Sequence, residues 1–178
     1  MSIFRPDVLA GQVALVTGGG SGICLEITRK LMAHGCDAVI LSRSQDKLDA
    51  AAKALEADTG RRCLALAADV RDMAAVEAAM DRALDALGRM DIVVNGAAGN
   101  FLCPASKLSA NAFRTVLEID TMGTYNVSRA AFDKALGEHG GSILNISATL
   151  HYGGQALQLH PGVAKAGVDA MTRHLAVE

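Results

Sequence analysis

The stretch VALVTGGGSGIC, residues 13–24, limits what this chain can fold into more than any other. VALVTG (13–18) is an unbroken β-rich apolar run that stops at glycine, the pattern of a parallel strand buried on both faces. Glycines at 18, 20 and 22 permit tight turning, and Ile23, Ile27, Leu31 and Met32 then recur at helical spacing up to a C-cap at Gly35. A second apolar run, AVILSR (38–43), completes a β-α-β unit.

The alternation repeats along the chain. Ser44 is placed to cap a helix through QDKLDAAAKALEADTG; CLALAADV (63–70) reads as a strand, MAAVEAAMDRALDALG (73–88) as an amphipathic helix, and MDIVVNGA (90–97) as a fourth strand. After a loop containing Pro104, a helix is expected near 109–118, running on towards Ala135, then the strand GSILNISA (141–148) and a last helix from about 160. Met73 and Met80, at helical spacing, read as core. Five strands separated by helices, without repeat or linker, predict an α/β fold: one Rossmann-like domain over 1–178 with a doubly wound, mostly parallel sheet. Sheets of this kind usually carry six or more strands, and the chain stops at HLAVE within a helical pattern, so the domain is expected to be incomplete at its C-terminus.

Composition narrows the function. With 17 basic residues against 19 acidic ones, a net charge of -2 and no basic run longer than Arg61-Arg62, no nucleic-acid partner is expected. No apolar stretch approaches the roughly 20 residues of a membrane span, and MSIFRPDVLAGQ lacks the charged-then-apolar order of a signal peptide, which points to an intracellular chain. Cys24, Cys36, Cys63 and Cys103 are scattered with no CxxC pair, and the five histidines show no ligand spacing; reduced structural thiols and no metal are expected.

The glycine-rich turn has a chemical reading because it lies between a strand and a helix. Thr17, Gly18, Gly19, Gly20, Ser21, Gly22 and Ile23 are candidates to cradle the pyrophosphate of a dinucleotide on the helix N-terminus, where unpaired N–H groups and the dipole favour an anion. At the end of the second strand, an acidic residue would hold the ribose 2'-hydroxyl of NAD. Here Ser42, Arg43 and Ser44 stand instead, which favours a 2'-phosphate and hence NADP(H), although Arg43 also suits a solvated helix start.

TGxxxGxG at the first turn, Asp69-Val70 after the third strand and Asn95 opening an Asn-x-Ala stretch resemble the short-chain dehydrogenase/reductase family over essentially the whole chain. The resemblance implies that Asp69, Val70 and Asn95 join the cofactor site, although Asp69 is equally suited to capping a helix. One departure is Cys24, which replaces the last glycine of the motif and predicts a strained or weakened cofactor site. The family's usual catalytic set is an asparagine, a serine, and a tyrosine four residues before a lysine. Here Lys165 is kept, whereas Pro161 takes the tyrosine position, Ala148 (between Ser147 and Thr149) the serine position, and Asp120 the asparagine position.

AAGNF within NGAAGNFLCPASKLSANAF (95–113), together with GRRCL, IDTMGTYNVSRA and DAMTRHLAVE, is similar to the 2,4-dienoyl-CoA reductase branch, whose peroxisomal type also lacks the tyrosine. The branch implies reduction of an acyl-CoA by NADPH, with Asp120 holding a proton-donating water and Lys165 binding the nicotinamide ribose. It also implies Phe101, Ser109, Ala110 and Asn111 beside the substrate, and Arg43 and Arg71 on the CoA phosphates. The plainer readings are a surface Asp120, a solvated Lys165, loop packing for Phe101 and an N-cap role for Ser109. The resemblance further implies a homo-tetramer and residence in the peroxisome, although the chain ends in AVE rather than a peroxisomal tripeptide, which would leave it in the cytoplasm. Two other functions stay open: a different short-chain carbonyl reductase, disfavoured by the missing tyrosine, and an inactive cofactor-binding or interaction fragment.

Overall fold

The computed structural model describes residues 3–178. β1 (Val13–Thr17), β2 (Asp37–Ser42), β3 (Cys63–Ala67), β4 (Ile92–Asn95) and β5 (Ser142–Asn145) form one parallel sheet in the order β3-β2-β1-β4-β5. The helices α1 (Gly22–Ala33), α2 (Gln45–Thr59) and α3 (Met73–Leu87) follow the first three strands. After β4 come α4 (Ala110–Leu117), α5 (Gly123–Ala131) and α6 (Gly137–His139), joined without interruption by π-helical turns at Glu118–Met122 and Phe132–Leu136; α7 (Leu150–Gly153) and α8 (Leu159–Leu175) follow β5. This is the doubly wound α/β arrangement that the sequence predicts.

The strands read as apolar runs because both faces are covered. In β2, Ala38 and Ile40 pack with Met32, Leu48 and Leu55 from α1 and α2. The intervening Val39 and Leu41 pack with Val76 and Met80 of α3 and Val127 and Ala131 of α5. One period-2 strand thus serves two cores. Met80 is fully buried and Met73 lies against the same core, as expected of a helix's apolar stripe.

Several local readings are corrected. Ser44 stands at the N-cap of α2 but its hydroxyl makes no capping bond. At α3 the cap is Asp72, which accepts from the Ala75 N–H at 3.2 Å; Asp69 does not cap a helix. α8 ends at Leu175, and the N–H groups of Ala176 and Glu178 donate to the carbonyls of Thr172 and His174. The third, fourth and fifth strands are shorter than their apolar runs, because the residues after Ala67, Asn95 and Asn145 leave the ladder to build the loops above the sheet.

The strand order changes direction at β1. Chain connections leave β1 towards β2 on one side and arrive at β4 on the other, so a crevice opens above the C-terminal ends of β1 and β4. Thr17, at the end of β1, is buried, and its hydroxyl accepts from the N–H groups of Gly96 and Ala97 at 3.0 Å each. That contact fixes the loop after β4 against the glycine turn.

Candidate active site

Above these strand ends lies a cavity of about 590 Å³ lined by Gly18, Gly20, Ser21, Ile23 and Cys24 of the glycine turn and α1, by Ser42, Arg43, Ser44 and Lys47 after β2, by Ala68, Asp69 and Val70 after β3, by Gly96, Ala97, Ala98 and Gly99 after β4, and by Ile119, Ile146 and Lys165. Most of the residues that the sequence singles out for a dinucleotide therefore come together. The turn fits a pyrophosphate on its own geometry. Gly18 is at φ +72°, a conformation that side chains rarely adopt, and a Cβ on Gly19 would lie 2.6 Å from Ile40 Cγ2. The chain must be bare there for its backbone to enter α1 beneath the cavity. Ser21 stands at the N-cap of α1 without a side-chain capping bond, so its hydroxyl is not spent on the helix.

Of the predicted residues, Thr17, Gly19, Gly22, Asn95, Arg71 and Asp120 are not part of the lining, and Thr17, Asn95 and Arg71 act on the cavity through their contacts. Thr17 acts through the two N–H groups it holds. Asn95 is buried, and its amide donates to Ser128 Oγ and Asn145 Oδ1 at 2.9 Å each, so it ties β4 to β5 and α5. Arg71 grips Asp69 with its Nη2 at 2.6 Å, and this hydrogen bond holds the Asp69 carboxyl below the usual carboxylate range. Val70 is fixed by Asn126, whose amide donates to the Val70 carbonyl at 2.9 Å.

Lys165 reaches the cavity lining, and its counter-charge Asp120 lies buried behind it. Asp120 is 1% exposed and lies in the first π turn; its Oδ1 accepts from the Gly99 N–H at 2.7 Å and its Oδ2 is 3.2 Å from Lys165 Nζ. Lys165, 8% exposed, also donates to the Ile146 carbonyl at 2.9 Å. Neither is the solvated surface residue of the plainer reading. The pairing has a cause in the packing of α8. Thr121 donates to the Ala164 carbonyl at 3.0 Å, and a Cβ on Gly167 would be only 3.0 Å from Thr121 Cγ2, so bare glycine lets α8 lie close to the π turn. The wide turn itself, with Thr124 donating to the Asp120 carbonyl at 2.6 Å, sets the carboxylate's direction.

The proposed acyl-CoA contacts are dispersed. Ser109 and Ala110 border a second, larger cavity of about 1050 Å³ between α4, α5 and α8, with an apolar lining that includes Phe113, Leu117 and Met171. Ser109 is also the N-cap of α4, accepting from the Ala112 N–H at 3.1 Å. Asn111 is exposed and lines neither cavity. Phe101 stacks on the fully buried His160 with ring centroids 4.3 Å apart, next to Asn100, whose amide donates to Gln158 Oε1 at 3.0 Å. Lys47, Ala68, Ile119 and Ile146 were not legible as site residues. Lys47 had a signal: a lysine in the first turn of a helix opposes the macrodipole, which an anion there would relieve.

Cys24, expected to strain or weaken the cofactor site, is 7% exposed and lies over Gly96, so the thiol occupies room that a bare β4 end leaves for it. Burial pushes the thiol pKa up, and the Lys165 ammonium partly offsets this.

Among the described residues, no helix is long and apolar enough to cross a membrane, and no group of three or more His, Cys, Asp or Glu is arranged to hold a metal ion.

Comparison with known proteins agrees with this geometry. A model of the short chain dehydrogenase family matches residues 12–178. A peroxisomal 2,4-dienoyl-CoA reductase of Danio rerio is 61% identical over 99% of this chain and 59% of its own length; its counterpart in Rattus norvegicus is 60% identical over 99% of this chain and 60% of its own. The chain thus spans about 60% of the length of these curated relatives. A solved citronellol catabolism dehydrogenase of Pseudomonas aeruginosa superposes with a TM-score of 0.93 at 35% identity, over 99% of this chain and 72% of that one. With a glycine turn under α1, a parallel sheet that reverses order at β1 and a family match along nearly its whole length, the chain belongs to the short chain dehydrogenase family.

Proposed function

We propose that this chain forms the cofactor-binding and catalytic part of an NADPH-dependent 2,4-dienoyl-CoA reductase, yielding 3-enoyl-CoA, in a single cofactor-binding domain. The observation that carries the reading is the buried pair of Lys165, which lines the cavity, with Asp120 behind it, and Pro161 where a phenol would stand. Reduction of a conjugated dienoyl thioester places hydride at the far end of the diene and leaves a dienolate, which must be protonated at carbon. A tyrosine aimed at a ketone oxygen has no task in that step.

A reduced nicotinamide bound above the glycine turn supplies the hydride. Thr17, Gly18, Gly19, Gly20, Ser21, Gly22 and Ile23 would hold the pyrophosphate, and Asp69, Val70 and Asn95 would shape the adenine and nicotinamide ends. Arg43, Ser44 and Lys47 surround the N-terminus of α2, whose N–H groups and dipole add to two cations; that concentration of positive charge in an acidic chain favours the 2'-phosphate of NADP(H). Lys165 orients the ribose. Asp120, held by Gly99 and Lys165, keeps a water where it can give a proton to the dienolate carbon, and the Lys165 ammonium gives a proton to the hydroxide left behind and is reprotonated from solvent.

Phe101, Ser109, Ala110 and Asn111 would guide the acyl chain, and Arg43 and Arg71 would meet the CoA phosphates. Residence in the peroxisome and assembly into a tetramer belong to the same proposal; the exposed Met122, Tyr125 and Phe132, spaced along one helical run, suit helix-to-helix association. The test is the loss of dienoyl-CoA absorbance with NADPH. Turnover is expected, falling at least 100-fold in Asp120→Asn. That substitution also leaves Lys165 without its buried counter-charge, which costs about 3 kcal/mol of stability, so turnover is compared at a temperature where both forms are folded. Equal turnover by Asp120→Asn removes the carboxylate from the reaction.

A further inference from the structure

Gly96 is glycine for a reason its backbone does not supply. Its φ is outside the left-handed region, so an alanine could adopt the same main-chain conformation. What chiefly forbids a side chain is Cys24: a Cβ built on Gly96 would fall far inside van der Waals contact with Cys24 Sγ, whereas it would stand an ordinary 3.6 Å from Cys24 Cβ and a tight 3.0 Å from the Thr17 carbonyl, which must give by a few tenths of an ångström. The severe conflict is therefore with one atom, the sulfur. Both residues line the same cavity, on opposite sides of the seam between the first turn of α1 and the end of β4.

We infer that Cys24 and Gly96 are a size-complementary pair that positions the first turn of α1 for the cofactor: the space for one heavy atom at this seam is filled from α1 and left empty by β4. A glycine normally allows α1 to approach the sheet; here that bare position has moved across the seam, and the approach is kept. The pair acts by position and takes no part in the chemistry. Overfilling the seam pushes α1 away from β4, carrying the N–H groups of the glycine turn away from Lys165, because helices and strands shift as rigid units when a packed contact is overfilled. This inference rests on the cofactor site proposed above.

The test moves the atom. Gly96→Ala alone overfills the seam, Cys24→Ala alone empties it, and the double variant Cys24→Ala/Gly96→Ala removes the sulfur and returns one carbon. Two quantities are read for each protein: the thermal midpoint without ligand, and the dissociation constant for NADPH from a fluorescence titration. Gly96→Ala is expected to lower the midpoint by several degrees and weaken NADPH binding at least tenfold; Cys24→Ala is expected to change binding less than threefold. The double variant should regain most of both losses, so the two substitutions are strongly non-additive. If Gly96→Ala does not fold, the double variant decides, since it must fold and bind for the pair to be real.

Additive effects of the two substitutions, or a Gly96→Ala variant with an unchanged midpoint and unchanged NADPH binding, overturn the pair. A midpoint that falls and recovers while the NADPH constant stays level assigns the pair to packing alone and overturns its positioning role. If the unmodified chain binds neither NADPH nor NADH, the cofactor reading fails first and the positioning role with it. The three results are distinguishable.

Discussion

Cys36 and Cys63 show how strongly single residues can feel this fold. Cys36 packs with β1 and β4 residues such as Val16 and Ile92, and Cys63 with Ala38 and Ile40 of β2; burial pushes each thiol up to about 12, with Asp37 and Asp91 adding to the effect on Cys36 and Glu56 on Cys63. A thiol whose pKa is raised on folding supports the fold fully below its unfolded value, near 9.0, and that support is lost as pH rises towards 12. Denaturant unfolding at pH 8 and at pH 10.5 should therefore show a marked fall in stability at the higher pH. Cys36→Ala is expected to be less stable than the parent at pH 8, through its lost methylene-sized volume, yet to lose less on going to pH 10.5. An identical pH-dependent loss in the variant would remove the buried thiol as the cause. At the same scale, the scattered spacing of the cysteines reads them as reduced structural thiols; Cys24, Cys36 and Cys63 are buried, whereas Cys103 is only partly so. The raised pKa values of Cys36 and Cys63 were not legible, because desolvation depends on neighbours that sequence order does not show.

The helix starts distinguish structural caps from candidate ligand positions at the level of elements. Asp72 closes α3 with a side-chain bond, whereas Ser44 closes α2 with none. Asp72→Ala is expected to cost about 1 kcal/mol of stability, the usual value of an N-cap. Ser44→Ala should cost only a few tenths of that, but should weaken NADPH binding several-fold, since the hydroxyl and the N–H groups beside it are held open towards the cavity. Chemical denaturation and cofactor titration of the two variants read the contrast; a full 1 kcal/mol loss in Ser44→Ala would show that its hydroxyl caps α2 after all. Element existence was legible from period 2 and period 3.6 alone. The π turn at Glu118–Met122 was not, since five residues of ordinary helix formers carry no sign of an i→i+5 turn; it forms because Thr124 and the approach of α8 stabilise it.

At the scale of the molecule, topology concentrates charge that composition spreads out. The chain carries a net charge of -2, yet Arg43 and Lys47 meet at one cavity because β2 ends beside β1 at the point where strand order reverses. Arg43→Glu is expected to weaken NADPH binding at least tenfold and leave NADH binding little changed or improved, because it exchanges a phosphate partner for a carboxylate that repels phosphate and accepts from a ribose hydroxyl. Raising ionic strength from 0.02 to about 0.5 M should weaken NADPH binding in the parent more than in the variant. Equal preference for the two cofactors before and after the substitution would separate Arg43 from the choice.

By itself the sequence determined the alternation of strands and helices, the glycine turn and its anion-binding context, the place of Met73 and Met80 in the core, and the substitution of Pro161 for a tyrosine. These follow from local rules: side-chain periodicity, backbone freedom at glycine and the order of residues along one strand or helix. Only the tertiary structure decided that Asp120 and Lys165 are a buried pair, that Asn95 braces the sheet, that Asp69 is held by Arg71, and that Cys24 is accommodated by Gly96. The Asp120, Asn95 and Cys24 contacts depend on distances of a few ångströms between residues distant in the chain, and the Asp69–Arg71 grip on the shape of one loop. Such distances are fixed by how closely helices approach the sheet, which is set by the few positions where a side chain is missing.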